Sequence, residues 1–123
     1  MTENVYFFDS YAIIEIILGN SAYKKYVTSK IITTRLNLFE VHYAMLRLFG
    51  IEQANVILSE YAKFVIDYDF TIIAKGSLMK LEYKKSKLSM TDCIGYMLAK
   101  KLGIKFLTGD KEFEKLSNVE YVK

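Results

Sequence analysis

The chain has 123 residues, 52% of them hydrophobic, which suits one domain with enough apolar content for a proper core. Its formal charge of +3 is too small to diagnose nucleic-acid binding alone, and no apolar run is long enough to span a bilayer. A single cysteine and a single histidine exclude an internal disulfide and a typical structural zinc site, so stability must come from packing.

From the N-terminus, "MTEN" places Glu3 where a secretory leader would carry basic residues, so a cytoplasmic protein without membrane association is expected. "VYFF" (5–8) reads as a strand, and Asp9-Ser10 leads into "YAIIEIIL", a helix ended by Gly19. "KIITT" (30–34) is a second strand. "LNLFEVHYAMLRLF" (36–49) runs too long for a strand and stops at Gly50; as a helix apolar over most of its circumference it should be largely buried. A further helix covers residues 52–63, "FVIDYDF" (64–70) offers a strand, and residues 71–87 read as helix despite Gly76. "SMTDCIGYMLAKKLG" then has helix start and stop signals, followed by strand "IKFLT", short helix "DKEFEKL" and closing edge strand "VEYV". With no proline, Gly/Ser-rich linker or internal repeat, residues 1–123 are expected to form a single domain. Alternation with long crossovers predicts an α/β fold, a three-layer α/β/α arrangement around a mostly parallel central sheet.

In such folds ligands bind beyond the carboxyl ends of the strands, where Asp9 and Asp110 both fall. Helix capping explains either one singly. Asp92 completes the capping box begun by Ser89, and a carboxylate in a first helical turn stays ionised near the positive end of the dipole. Gly95 and Ala99, on its face, would let that helix approach the sheet closely. Glu40 is harder to explain blandly, because a glutamate inside an apolar helix needs a cation, a hydrogen-bond network or an opening to water; Arg47, two turns away on roughly the same face, is a candidate partner. Taken together, four carboxylates that can converge in one cleft would repel one another unless a cation sat among them. An all-oxygen donor set suits one or two Mg²⁺ or Mn²⁺ ions, which could bind a phosphodiester and activate water.

Three blocks, "FFDSYAII", "IITTRLNLFEVHYAML" and "LSMTDCIGYMLAKKLGIKFLTGDKEF", carry these acids in an order and spacing that resembles the PIN-domain ribonucleases, and among them the VapC-type toxin nucleases. The likeness covers essentially the whole chain, and its most specific part is the step from Asp92 to the T-x-D-x-x-F run at Thr108, Asp110 and Phe113. The resemblance implies a metal-dependent endoribonuclease that hydrolyses RNA phosphodiesters. Asp9, Glu40, Asp92 and Asp110 would be its catalytic and metal-binding residues, with Ser10 and Thr108 orienting carboxylates or water. It further implies a homodimer and a cognate antitoxin protein. Tyr11 stands where many relatives have a small polar residue, and Glu112 or Glu114 could add a water-mediated contact to the metal.

Other residues invite competing readings. Lys84, Lys85 and Lys87, within "KLEYKKSK", are candidate RNA-backbone contacts or simply a solvated face. Tyr11, Tyr43 and Tyr96 lie near the acids and could stack on bases, although most aromatic residues belong to the core. His42 falls opposite Glu40 on the helical wheel and reads as a packed or partly exposed histidine, and Cys93 as a small buried hydrophobe. The alternatives to a toxin nuclease are a catalytically silent RNA- or partner-binding module of the same fold and a housekeeping RNA-processing nuclease. A phosphatase with an aspartyl nucleophile is disfavoured, because "DSY" replaces the D-x-D start.

Overall fold

The structure, a computed structural model, describes residues 4–123; Glu3 lies outside them. Strands β1 (Val5–Phe8), β2 (Lys30–Ile32), β3 (Lys105–Thr108) and β4 (Val119–Tyr121) form one parallel sheet in the order β2-β1-β3-β4. The register pairs Phe7 with Ile32 on one side and with Phe106 on the other, and Thr108 with Tyr121.

Consecutive strand residues point to opposite faces, and here both faces are apolar. Phe7 and Phe106 pack beneath α4 (Phe70–Glu82) and α5 (Met90–Leu102), while Phe8 and Leu107 pack beneath α1 (Ser10–Ile17) and α2 (Arg35–Phe49), with Ala54 of α3 (Ile51–Tyr61) in the same cluster. The result is the expected α/β/α sandwich. From β1 the chain passes outward to β2, then returns across β1 to β3, so the strand order reverses between β1 and β3. The carboxyl ends of those two strands flank the switch point where such sheets form their ligand crevice.

Helix α5 lies unusually close to the sheet. A Cβ added at Gly95 would stand 2.8 Å from Cε1 of Phe7 and 3.1 Å from Cε1 of Phe106, and both rings are fully buried. Gly95→Ala must therefore displace the helix or the rings, and we expect a loss of about 1–3 kcal/mol by denaturant titration. An unchanged midpoint would mean that the contact is slacker than its geometry indicates.

Four expectations need correction. "FVIDYDF" is not a strand: Val65 makes one isolated parallel bridge to Thr33, with Thr33 N–H donating to Phe64 O and Ile66 N–H to Thr33 O, both at 3.0 Å. The two aspartates of that segment end the pairing, Asp67 through an exposed pair with Arg35 and Asp69 as the side-chain cap of α4. Helix α2 is also less buried than its composition suggests. Asn37, Leu38, Val41 and Met45 face inward, whereas Phe39 is 74% exposed and Tyr43, Leu48 and Phe49 are exposed as well. Finally, α4 ends at Glu82, so Lys84 and Lys85 occupy the turn after it, and "DKEFEKL" makes only a 3₁₀ turn at Lys111–Phe113.

Candidate functional site

Asp9 ends β1 and occupies the N-cap position of α1, yet it makes no side-chain cap hydrogen bond. Its carboxylate is instead held by more distant groups: Thr108 Oγ1 donates to Oδ2 at 2.7 Å and Asn37 Nδ2 to Oδ1 at 3.5 Å. Capping therefore does not explain this residue, which is only 3% exposed. Ser10, the next residue, donates from Oγ to Glu40 Oε1 at 2.5 Å. Glu40 is half-buried, and its partner is this hydroxyl; Arg47 lies over the Tyr43 ring.

Asp92 and Asp110 are positioned by local chain geometry. The Ser89/Asp92 capping box forms in full, Ser89 N–H donating to Asp92 Oδ2 at 2.8 Å and Asp92 N–H to Ser89 Oγ at 3.1 Å. Asp110 caps the 3₁₀ turn by accepting Glu112 N–H at 3.0 Å, while its own N–H donates to Thr108 Oγ1 at 3.0 Å. Thr108 thus contacts both aspartates at the strand ends. Gly109 sits between Thr108 and Asp110 with the Tyr11 ring and the Val122 carbonyl against it, where any Cβ would overlap both.

The carboxylates affect one another's charge. Burial, followed by repulsion from Asp92, raises the Asp9 pKa from its ordinary 3.8 to about 8; Thr108's hydrogen bond opposes the rise, and Glu40 adds to it. Burial likewise raises Asp92 to about 6, with repulsion from Asp110 and Glu40 acting against the hydrogen bonds from Ser89. No described Lys, Arg or His lies within salt-bridge distance of any of the four acids, the ion pairs being Arg35–Asp67 and Lys101–Asp69. No three described His, Cys, Asp or Glu side chains form a ready-made metal cage. Each carboxylate is tied to its own donors, and mutual repulsion disfavours closer approach in the absence of a counter-charge. The chemistry of these residues is compatible with a hard divalent cation, since the side-chain donors on offer are all oxygens and no described Lys, Arg or His neutralises them.

The other expected contacts separate. Lys87 lines an open cavity of about 640 Å³ together with Asp110, Lys111, Glu112, Glu114 and Lys115, whereas Lys84 lines a different cleft beside Lys80 and Tyr83, and Lys85 lines neither. Glu112 accepts the Lys87 backbone N–H at 3.4 Å. Tyr96 is core: it is buried, packs on Phe106 and Phe113, and donates its hydroxyl to Ser117 O at 2.6 Å. His42 bonds Asn55 Oδ1 at 2.8 Å across α2 and α3, and the Cys93 thiol is buried with its pKa pushed up by that burial. Sequence reasoning missed Asn37, which is fully buried against Ser10 and Asp9. The available signal was a carboxamide in the first turn of an apolar helix, one turn before Glu40 on the same face.

Comparison with known proteins follows from this geometry. Residues 6–119 match the family profile described as the PIN domain. Among solved structures, the sarcin–ricin-loop-cleaving toxin VapC20 of Mycobacterium tuberculosis aligns with a TM-score of 0.78 at 16% identity, over 98% of this chain and 100% of that one. A toxin–antitoxin complex from Klebsiella pneumoniae gives 0.73 at 19% identity, covering 94% and 95% of the two chains. VapBC2 from Rickettsia felis, bound to a DNA fragment from its promoter, gives 0.73 at 16% identity over 97% and 99%. A search of the curated proteins found no match.

Proposed function

This chain belongs to the PIN domain family, and from that premise we propose that it is a Mg²⁺- or Mn²⁺-dependent endoribonuclease, residues 1–123 forming one nuclease domain that acts as the toxin of a toxin–antitoxin pair. The observation that carries the reading is Asp9, a buried carboxylate whose charged neighbours are other carboxylates and which lacks a described cationic partner. Such a group is costly to ionise unless a ligand brings positive charge.

Asp9, Glu40, Asp92 and Asp110 would hold one or two divalent ions. A cation there supplies neutralisation of the scissile phosphate and activation of water. The chain's own contribution is positioning. Thr108 fixes one oxygen of Asp9, Ser10 fixes one oxygen of Glu40, and the Ser89 box fixes one oxygen of Asp92, leaving the opposite oxygen of Glu40 and of Asp92 without a described hydrogen bond. Lys87, which lines the same cavity as Asp110, would contact an RNA phosphate.

The toxin role is supported by the structural neighbours, which are toxins and toxin–antitoxin complexes of nearly the same length. Antitoxin and homodimer contacts would cover apolar side chains left exposed on the surface, including Phe39 in the second turn of α2, Phe49 and Ile51 at the α2–α3 junction and Phe70 at the start of α4. No helix among the described residues is long and apolar enough to cross a membrane, and we place the protein in the cytoplasm with its RNA substrate.

Incubation with pooled cellular RNA tests the proposal. Cleavage is expected in Mn²⁺ or Mg²⁺ and none in EDTA, and Asp92→Asn should lower the rate by at least about 100-fold while keeping the wild-type circular dichroism. Absence of cleavage in either metal, or cleavage indifferent to EDTA, would overturn the assignment.

A further inference from the structure

Asn37 is among the largest fully buried side chains of the protein and is uncharged, so the four-acid reading gives it no part. Its hydrogen bonds run in one direction. Thr34 Oγ1 accepts Asn37 N–H at 3.3 Å as the cap of α2, and its single proton goes to Asn37 Oδ1 at 2.6 Å. This orientation also suits the other end of the amide, since a flipped carboxamide would set its oxygen against Asp9 Oδ1, which only accepts when ionised. The Nδ2 protons then point to Ser10 Oγ at 3.0 Å and, more weakly, to Asp9 Oδ1 at 3.5 Å. Ser10 Oγ accepts that bond and donates its own proton to Glu40 Oε1 at 2.5 Å.

We propose that Asn37 is a positioning residue that couples Asp9 to Glu40 through one carboxamide, setting the direction of the Ser10 hydroxyl and so which oxygen each carboxylate presents to the cleft. The two acids come from different elements, the end of β1 and the second turn of α2, with no described ion pair tying them together. A neutral double donor meets that need, because it satisfies carboxylate oxygens without neutralising the charge a cation would bind. Thr33, beside Thr34, strengthens the joint by donating its hydroxyl to Phe8 O at 3.0 Å, so the amide works between fixed walls.

The inference rests on the metal-site reading, and the test separates the two. Asn37→Leu keeps the side-chain shape and removes the side-chain hydrogen bonds to Thr34, Ser10 and Asp9. In calorimetric titration with Mn²⁺ alone its affinity should fall about 10- to 100-fold, with circular dichroism unchanged. Wild-type affinity in folded Asn37→Leu would overturn the positioning role and leave the nuclease reading intact. If the wild type itself binds no Mn²⁺, the metal reading fails, and the positioning role is judged by NMR of the metal-free protein. There the Asn37 side-chain NH₂ should exchange slowly with water, and one of its protons should shift in Ser10→Ala. A pair exchanging as fast as a solvent amide, or untouched by Ser10→Ala, would overturn the coupling whether or not Asn37→Leu folds.

Discussion

Asp9→Asn is expected to reduce Mn²⁺-supported RNA cleavage by at least about 1,000-fold while making the metal-free protein at pH 8 more stable than wild type. The two effects share one cause. Asp9 is buried, its neighbours are like-charged, and its pKa stands near 8, so ionisation is tolerated only with an added counter-charge. The amide keeps the shape and still accepts Thr108's hydrogen bond through its oxygen; it gives up the weak 3.5 Å bond from Asn37 Nδ2, a smaller loss than the gain from removing the charge that destabilises the metal-free fold. Single-turnover cleavage and thermal melting in EDTA measure both. Loss of activity accompanied by loss of stability would point to a structural role for Asp9.

The second large effect is a fall in metal-free stability between pH 5 and pH 8, reversed by Mn²⁺. Both raised carboxylates hold protons in the folded state that the unfolded chain, with pKa values near 3.8, has already released. Their favourable contribution is complete below that value and is lost as pH rises through about 6 for Asp92 and about 8 for Asp9. Starting at pH 5 keeps the window above Asp69, whose lowered pKa acts in the opposite sense under more acidic conditions. A decline of at least about 3 kcal/mol is expected across the window in EDTA, and Mn²⁺ should raise the melting temperature more at pH 8 than at pH 5, because protons compete for the same oxygens. A flat profile in EDTA, or a Mn²⁺ shift independent of pH, would contradict this account.

What could be read from the chain was local. Ser89 and Asp92 lie within one helical turn, so their reciprocal bonds were written in the spacing, and the apolar runs "VYFF" and "IKFLT" announced both strand ends that carry an aspartate. "FVIDYDF" misled because strand pairing depends on a distant partner, and its aspartates favour caps and turns over a ladder. Asn37 was passed over for a related reason: its place before Glu40 was in the chain, but its amide gains meaning only when Ser10 and Asp9, nearly thirty residues earlier, are brought beside it. The outward phenyl of Phe39 broke the burial pattern that composition implied for α2, because an apolar residue reads alike whether it faces a core or open surface. The lysine run divided because α4 stops at Glu82, leaving Lys84 on its flank and Lys87 beside Asp110.

Thr108 donates its hydroxyl to Asp9 and accepts Asp110 N–H on the same oxygen, and its main-chain carbonyl accepts Val122 N–H at 2.9 Å just past β4. That outermost strand has a single ladder neighbour, and the 3₁₀ turn Ser21–Tyr26 braces it through Tyr26 on Glu120 and the Tyr23 hydroxyl on Val122 O. Residues 120–122 thereby tether the strand end that carries Asp110. Slackening the Val122–Thr108 bond would reach both aspartates through a single threonine, so in the nuclease reading turnover should fall even where Val119 keeps its place against the core beneath α5.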